Sequence, residues 1–258
     1  MITLLKFMPS KKKGFIRRLF SSPIDISCRH SYGVDICTLC LDTSRDVDWR
    51  RVVQAVGGEY IIPPIGFNLP EAVPFKRYNT QKVKRKILTD AAVIIARLAA
   101  DRGAHLSVML IDKTAEYIHL LGSLLSSANT VTVVTDMPDQ YNQAASEMLS
   151  SCGASPITTD DICTVSRCDM VVAPFGITGC GTLPLPALIF APSGYDCACV
   201  TDSSICFDGF NGYSPLEVLA AMQAEPTYDQ SGYRLNSLDL RGKSISLNEL
   251  ACRLSYNI

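Results

Sequence analysis

The sequence predicts an α/β fold organised around a mostly parallel sheet. The prediction rests on the stretch Leu106–Pro174, where apolar β-branched runs alternate with amphipathic helical segments at the spacing of βαβ units. In order, it reads as a strand (Leu106–Ile111), a helix (Thr114–Ala128), a strand (Thr130–Thr135) and a helix (Pro138–Cys152). A short strand (Ser155–Thr158), a turn and a strand (Asp169–Ala173) complete it. The composition agrees, since 47% hydrophobic and 19% charged residues describe a globular chain.

The first 33 residues read as a basic peripheral arm, with Lys11, Lys12, Lys13, Arg17 and Arg18 ahead of Ser21-Ser22-Pro23. Val34–Leu41 is the first expected strand, and Asp46 or Asp48 caps a helix that Gly57-Gly58 stops. Trp49, Val52, Val53 and Val56 form the apolar stripe of that helix. With a short strand at Glu59–Ile62, residues 34–78 make a small N-terminal α/β lobe containing one βαβ unit. Pro63 to Pro74 is too proline-rich for a helix or a central strand.

Residues 79–103 read as a connecting helix ended by Gly103, with Val83, Ile87, Asp90, Ala91, Ile94, Ile95 and Leu98 on its buried face. Residues 104–258 form the main domain. After Pro174 it carries a glycine-rich loop, Gly176-Ile-Thr-Gly179-Cys-Gly181, then strands at Leu185–Ala191 and Cys197–Thr201. Ser214 or Pro215 opens a helix to about Ala224, and a short strand and a terminal helix follow.

Composition excludes several function classes. A net charge of −1 supplies no general attraction to nucleic acid or anionic membrane. No apolar run reaches the roughly 18 residues that span a bilayer. The segment Met1–Phe20 lacks the apolar core and small-residue cleavage site of a signal peptide, so a cytoplasmic setting is expected. Eleven cysteines without a secretion signal argue against a disulfide framework. Cys37 and Cys40 form a CxxC, but residues three apart on a strand face opposite ways. Cys197 and Cys199 share a face with no histidine to complete a zinc set. The cysteines therefore read as structural thiols, and no metal site is expected.

Open parallel sheets bind ligands beyond the carboxyl ends of their strands. The residues delivered there are Asp112-Lys113-Thr114, Asp136-Met137 and Pro174-Phe175-Gly176. Val131-Thr-Val-Val-Thr-Asp136, followed by Pro138 and a helix, resembles the second strand of Rossmann NAD(P)-binding domains of the shikimate and amino-acid dehydrogenase type. Cys168-Asp-Met-Val-Val-Ala-Pro174 resembles the strand that leads to their nicotinamide pocket, so the resemblance spans residues 104–176. It implies a Rossmann-like fold, NAD(P) as the cofactor to consider, and a ribose-binding role for Asp136. Where that family carries Gly-x-Gly-x-x-Gly, this chain has Asp112-Lys-Thr-Ala-Glu-Tyr117. Those glycines let backbone approach a pyrophosphate, and Asp112 and Glu116 bring negative charge to the same place. Helix capping accounts for Asp112 and Thr114 without a ligand.

Gly66-Phe-Asn68 ahead of Pro74-Phe-Lys76 echoes the asparagine and lysine that shikimate dehydrogenases use for substrate and proton transfer, at a longer spacing. Asp112 and Asp136 together also suggest a Mg²⁺ pair with Lys113 as charge partner, although two acids fall short of known phosphoryl-transfer sets. No Gly-x-Ser-x-Gly elbow is present. Cys180, flanked by glycines, is the thiol to test for reactivity, and His105 and His119 read as structural. The expected site is a crevice between lobes lined by Asp112, Thr114, Asp136, Pro174, Phe175 and Gly176–Gly181, with no catalytic residue identified. The expected function is small-molecule binding by a non-catalytic or regulatory relative of dehydrogenases, and the alternative is an NAD(P)-dependent oxidoreductase with a diverged phosphate loop. Neither nucleic acid nor membrane is an expected partner, and homo-oligomers are compatible with the sequence.

Overall fold

A computed structural model describes residues 1–8, 24–42, 47–165, 168–177, 188–194, 196–229 and 233–256. The chain forms two compact units, each assembled from two stretches. One contains Met1–Thr80 and Cys206–Arg234, and the other contains Gln81–Ile205 and Leu235–Ile258.

The second unit holds a parallel sheet of six strands flanked by helices. The strands are β4 (Ser107–Ile111), β5 (Thr130–Val134), β6 (Ile157–Thr159), β7 (Met170–Val172), β8 (Leu188–Phe190) and β9 (Cys197–Ala198). They lie in the order β6-β5-β4-β7-β8-β9, and every neighbouring pair is parallel. Counted from β4, that order is 3-2-1-4-5-6, the arrangement of doubly wound dinucleotide-binding sheets. The central strands are mostly apolar because both faces are covered, and Val108, Met109, Leu110, Val133 and Val171 are all buried.

Helix α2 (Gln81–Ala100) opens this unit and packs against the terminal helix α6 (Leu247–Tyr256). Its buried stripe is Val83, Ile87, Leu88, Ala91, Ala92, Ile95, Ala96 and Ala99. Ile94, expected inside, is 42% exposed and lies outside this stripe. Helix α4 (Pro138–Cys152) has the expected bounds: Pro138 fits the first turn, and Gly153 takes φ +72° beyond the last. Strands β10 (Ile205–Phe207) and β11 (Tyr233–Leu235) are short, and an antiparallel ribbon, β12 (Ser237–Leu240) with β13 (Lys243–Ser246), leads into α6.

One expected helix is replaced. In place of Thr114–Ala128, the chain makes a turn over 113–117, a 3₁₀ turn at Ile118–Leu120 and the short helix α3 (Leu121–Leu125). Ala115 sits at φ +59°, which no helix continues through.

The first unit contains a three-stranded mixed sheet, ordered β1-β3-β2, from β1 (Ile2–Met8), β2 (Ile24–Ser31) and β3 (Val34–Asp42). Two stretches of the expected arm are thus strands, β1 parallel and β2 antiparallel to β3. The mostly exposed, polar β2 carries little apolar signal, which hid it in the sequence. Tyr32 (φ +55°) and Gly33 (φ +74°) make the tight turn between β2 and β3 with both centres left-handed, as hairpin twist prefers. Helix α1 (Trp49–Val56) is capped by Asp48, whose carboxylate accepts from the N–H groups of Arg50 and Arg51. The valines of α1 cover Leu5, Leu39, Leu41, Ile61 and Phe75. Glu59–Ile62 contributes isolated bridges, Tyr60 to Lys76 and Ile62 to Leu4, in place of a strand. Helix α5 (Pro215–Gln223), capped by Ser214, is tied to Arg77 by a two-pronged ion pair with Glu217 at 2.6 and 2.9 Å.

The cysteine reading needs one correction. Cys28 and Cys37 are joined by a disulfide. They lie directly opposite one another in the β2–β3 register, with Cα atoms 4.2 Å apart. Opposed residues on an antiparallel pair share a face at bridging distance, so register rather than spacing decided the partner. No helix among the described residues is long and apolar enough to cross a membrane.

Candidate functional site

The strand order reverses between β4 and β7, so the loops after these two strands meet at the switch point of the parallel sheet. The loop after β4 begins with Asp112, which is completely buried. Its N–H donates to Val134 O at 3.0 Å, continuing the β4–β5 ladder. Its carboxylate accepts the N–H of Tyr117 at 2.7 Å, the N–H of Glu116 at 3.3 Å and the phenol of Tyr141 at 2.6 Å. A buried charge is tolerated when hydrogen bonds replace its hydration, and these donors do so. The turn is therefore wound around an internal anion. Backbone N–H groups that could face a ligand phosphate at this end of β4 point at Asp112 instead.

Thr114 is exposed, and its hydroxyl donates to Glu116 at 3.2 Å. Asp136, beyond β5, pairs with Lys113 at 2.7 Å, and both side chains are largely in solvent. Such exposed pairs contribute at most about 1 kcal/mol. The N–H of Met137 at the start of α4 is capped by the hydroxyl of Thr135 at 3.1 Å, so Asp136 has no capping role. The Asp112 carboxylate is enclosed by its own donors, and that of Asp136 is paired with Lys113. No cluster of three or more His, Cys, Asp or Glu side chains suited to a metal ion occurs among the described residues.

After β7, Pro174 is buried and Phe175 is 39% exposed. Gly176, at φ +87°, donates its N–H to Ala173 O at 2.9 Å and turns the chain. The Phe175 ring meets Tyr117 edge-on with centroids 5.7 Å apart, and the Arg85 guanidinium lies 4.6 Å from the Phe175 centroid. These three side chains bridge the switch point. Burial raises the Tyr117 hydroxyl above the usual tyrosine range, which keeps it a neutral donor. Gly179, Cys180 and Gly181 lie outside the described residues, as do the basic cluster from Lys11 to Arg18 and Asp46.

The Asn68/Lys76 echo falls in the other unit. Asn68 is exposed, and Lys76 is held by Glu59 at 2.9 Å. That hydrogen bond keeps the ammonium charged and raises its pKa, the opposite of what a proton-transfer lysine needs. His105 lies 3.1 Å from the Asn129 amide, and His119 stands in the 3₁₀ turn, its ring 5.9 Å from that of Tyr117.

Two residues important to this edge were not singled out from sequence. Tyr141 was detectable as the large member of the Tyr141, Ala144, Ala145 buried face of α4. Arg85 looked like one of several surface cations at the start of α2, and only the approach of Phe175 separates it from them. Compared with known proteins, the chain matches no family model and no curated relative.

Proposed function

We propose that this chain is a non-catalytic or regulatory small-molecule-binding protein on a Rossmann-like scaffold, diverged from NAD(P)-dependent dehydrogenases of the type its sequence resembles. The observation that carries this reading is the internal anion at the switch point. Asp112 takes the Tyr117 and Glu116 N–H groups and the Tyr141 phenol. A dinucleotide pyrophosphate placed there would meet a fixed negative charge in a site of low dielectric, with no glycine to admit it. The binding surface in this reading is the Arg85, Tyr117 and Phe175 group, which offers a cation and two aromatic rings at the carboxyl edge of the sheet. The proposal includes a cytoplasmic setting, in which the Cys28–Cys37 bridge forms only on oxidation.

Thermal melting with NAD⁺, NADH, NADP⁺ and NADPH at millimolar concentration tests it. A ligand at a hundredfold excess over its Kd stabilises the folded state by about 2.7 kcal/mol, an easily resolved rise in Tm. The expected result is no shift with any of the four. A clear shift that Asp136→Ala removes for NAD⁺ would overturn the proposal in favour of an oxidoreductase with a diverged phosphate loop, the reading that the 3-2-1-4-5-6 strand order favours.

A further inference from the structure

The unit built from 1–80 and 206–234 contains a cavity of about 590 Å³. That volume falls within the range of small-molecule pockets. Strand register defines its floor: Leu4, Thr38 and Ser27 form one cross-strand row, and Lys6 and Cys40 sit in the next. Side chains alternate along strands, so these floor positions share the sheet face opposite Leu5 and Leu39, and Phe7 and Cys28 complete the lining. The wall is Pro64 with the loop Gly209–Tyr213, joined by the Ile65 N–H donating to Gly212 O at 2.8 Å.

The lining is electrostatically one-sided. Among the described residues it includes Lys6 and Arg29 and no aspartate or glutamate. Arg29 is held in place: its Nη2 donates to Gly209 O at 2.9 Å, and its guanidinium lies 5.1 Å from the Phe210 ring centroid. Lys6 has no ion pair among the described residues. Asp25 is opposite Cys40 in register but does not line the cavity. Ser27, Thr38, Asn211 and Tyr213 add neutral hydrogen-bonding groups, and burial keeps the Tyr213 phenol protonated by raising its pKa. At the loop, Gly209 (φ +85°) and Gly212 (φ +89°) are left-handed. The N–H groups of Gly209, Asn211 and Gly212 make no hydrogen bond among the described residues. Cations, hydroxyls and free amides without a competing carboxylate are the chemistry of anion recognition.

We propose that this cavity binds a small organic anion with two negatively charged groups, phosphate or carboxylate, engaging Lys6 and Arg29 together. From strand and residue spacings their Cα atoms stand roughly 16 Å apart. A single compact ion satisfies one of them at a time, whereas an extended dianion reaches both across the Ser27–Thr38 floor. The site is separate from the sheet-edge surface and does not depend on what that surface binds.

Isothermal titration of the full chain with inorganic phosphate, pyrophosphate and citrate tests the proposal. Pyrophosphate or citrate should bind at least about tenfold tighter than phosphate, a gap of about 1.4 kcal/mol. Preference for pyrophosphate identifies a phosphate-bearing ligand, and preference for citrate identifies a polycarboxylate. Lys6→Gln and Arg29→Gln should each weaken the preferred anion about tenfold, while Lys243→Gln, on exposed β13, should leave it unchanged. Arg29→Gln also disturbs the Gly209 contact, so Lys6→Gln, at an exposed position, is the cleaner test. Absence of saturable binding for all three anions at millimolar concentration, or the same affinity in Lys6→Gln as in the parent, overturns it.

Discussion

The phenol of Tyr141 donates a 2.6 Å hydrogen bond to Asp112, and neither side chain reaches solvent. The pair joins α4 to the loop after β4 across 29 positions of sequence. Removing one donor from a buried carboxylate costs about 1.5–3 kcal/mol. Tyr141→Phe should lower stability by that amount. Asp112→Asn should lower it further, because one amide end must face N–H and O–H donors. Urea denaturation midpoints measure both, and changes under about 0.5 kcal/mol, the range of ordinary surface substitutions, would show that the carboxylate does not organise the turn.

The Cys28–Cys37 bridge closes a short loop with a sequence separation of 9. Closing a loop of this size contributes about 2–3 kcal/mol by restricting the unfolded chain. Dithiothreitol should therefore lower the denaturation midpoint of the parent protein, and Cys28→Ser should reproduce the reduced state and respond no further to reductant. An identical midpoint with and without reductant would remove the bridge from the stability of this unit.

Gly33 allows only hydrogen at its α-carbon on two grounds. It is left-handed at φ +74°, and an added methyl would collide with the Thr227 carbonyl oxygen. A left-handed alanine costs about 1 kcal/mol or more, and a collision with backbone has no flexible end to yield. Gly33→Ala should destabilise by about 2 kcal/mol or more, whereas Gly57→Ala, left-handed but with open space around it, should lose only the backbone part. Equal losses at the two positions would show that the Thr227 contact carries no weight.

Alkaline pH should weaken the fold. Burial pushes the Cys168 thiol up to about 12 and the Tyr228 phenol up to about 12, and it raises Tyr141 as well. Each group is neutral when protonated and keeps its proton longer when folded. Its contribution is complete below its unfolded value, near 8.5 for a thiol, and is lost as pH rises toward the folded value. Between about pH 9 and 11 the slope for Cys168 should approach 1 kcal/mol per pH unit. Cys168→Ala should flatten it, as followed by denaturant midpoints across that range.

Much of the second unit was readable from local signals. The strands around Val108 and Val133 appear as apolar β-branched runs, and α4 is bounded by Pro138 and Gly153, whose effects act within one turn. The Thr114–Ala128 region misled because its helical periodicity is real, yet a distant phenol and a buried carboxylate set the turn ahead of it. At the site, Asp112, Asp136 and Phe175 were identified from sequence as strand-end residues, but not what each does. Asp112 faces inward, Asp136 pairs with Lys113, and Phe175 meets Tyr117 edge-on and lies under the Arg85 guanidinium.

By itself the sequence determined the α/β class, the positions of the central strands and the lack of a glycine phosphate loop, because these depend on neighbours a few residues apart. Tertiary structure decided the rest. It set Cys28 opposite Cys37, wound the Asp112 turn around its own carboxylate, and placed Lys6 and Arg29 beside one cavity. Those outcomes depend on register and on contacts between segments far apart in the chain, where the side chain that satisfies a charge or fills a face is fixed only once the sheet has formed.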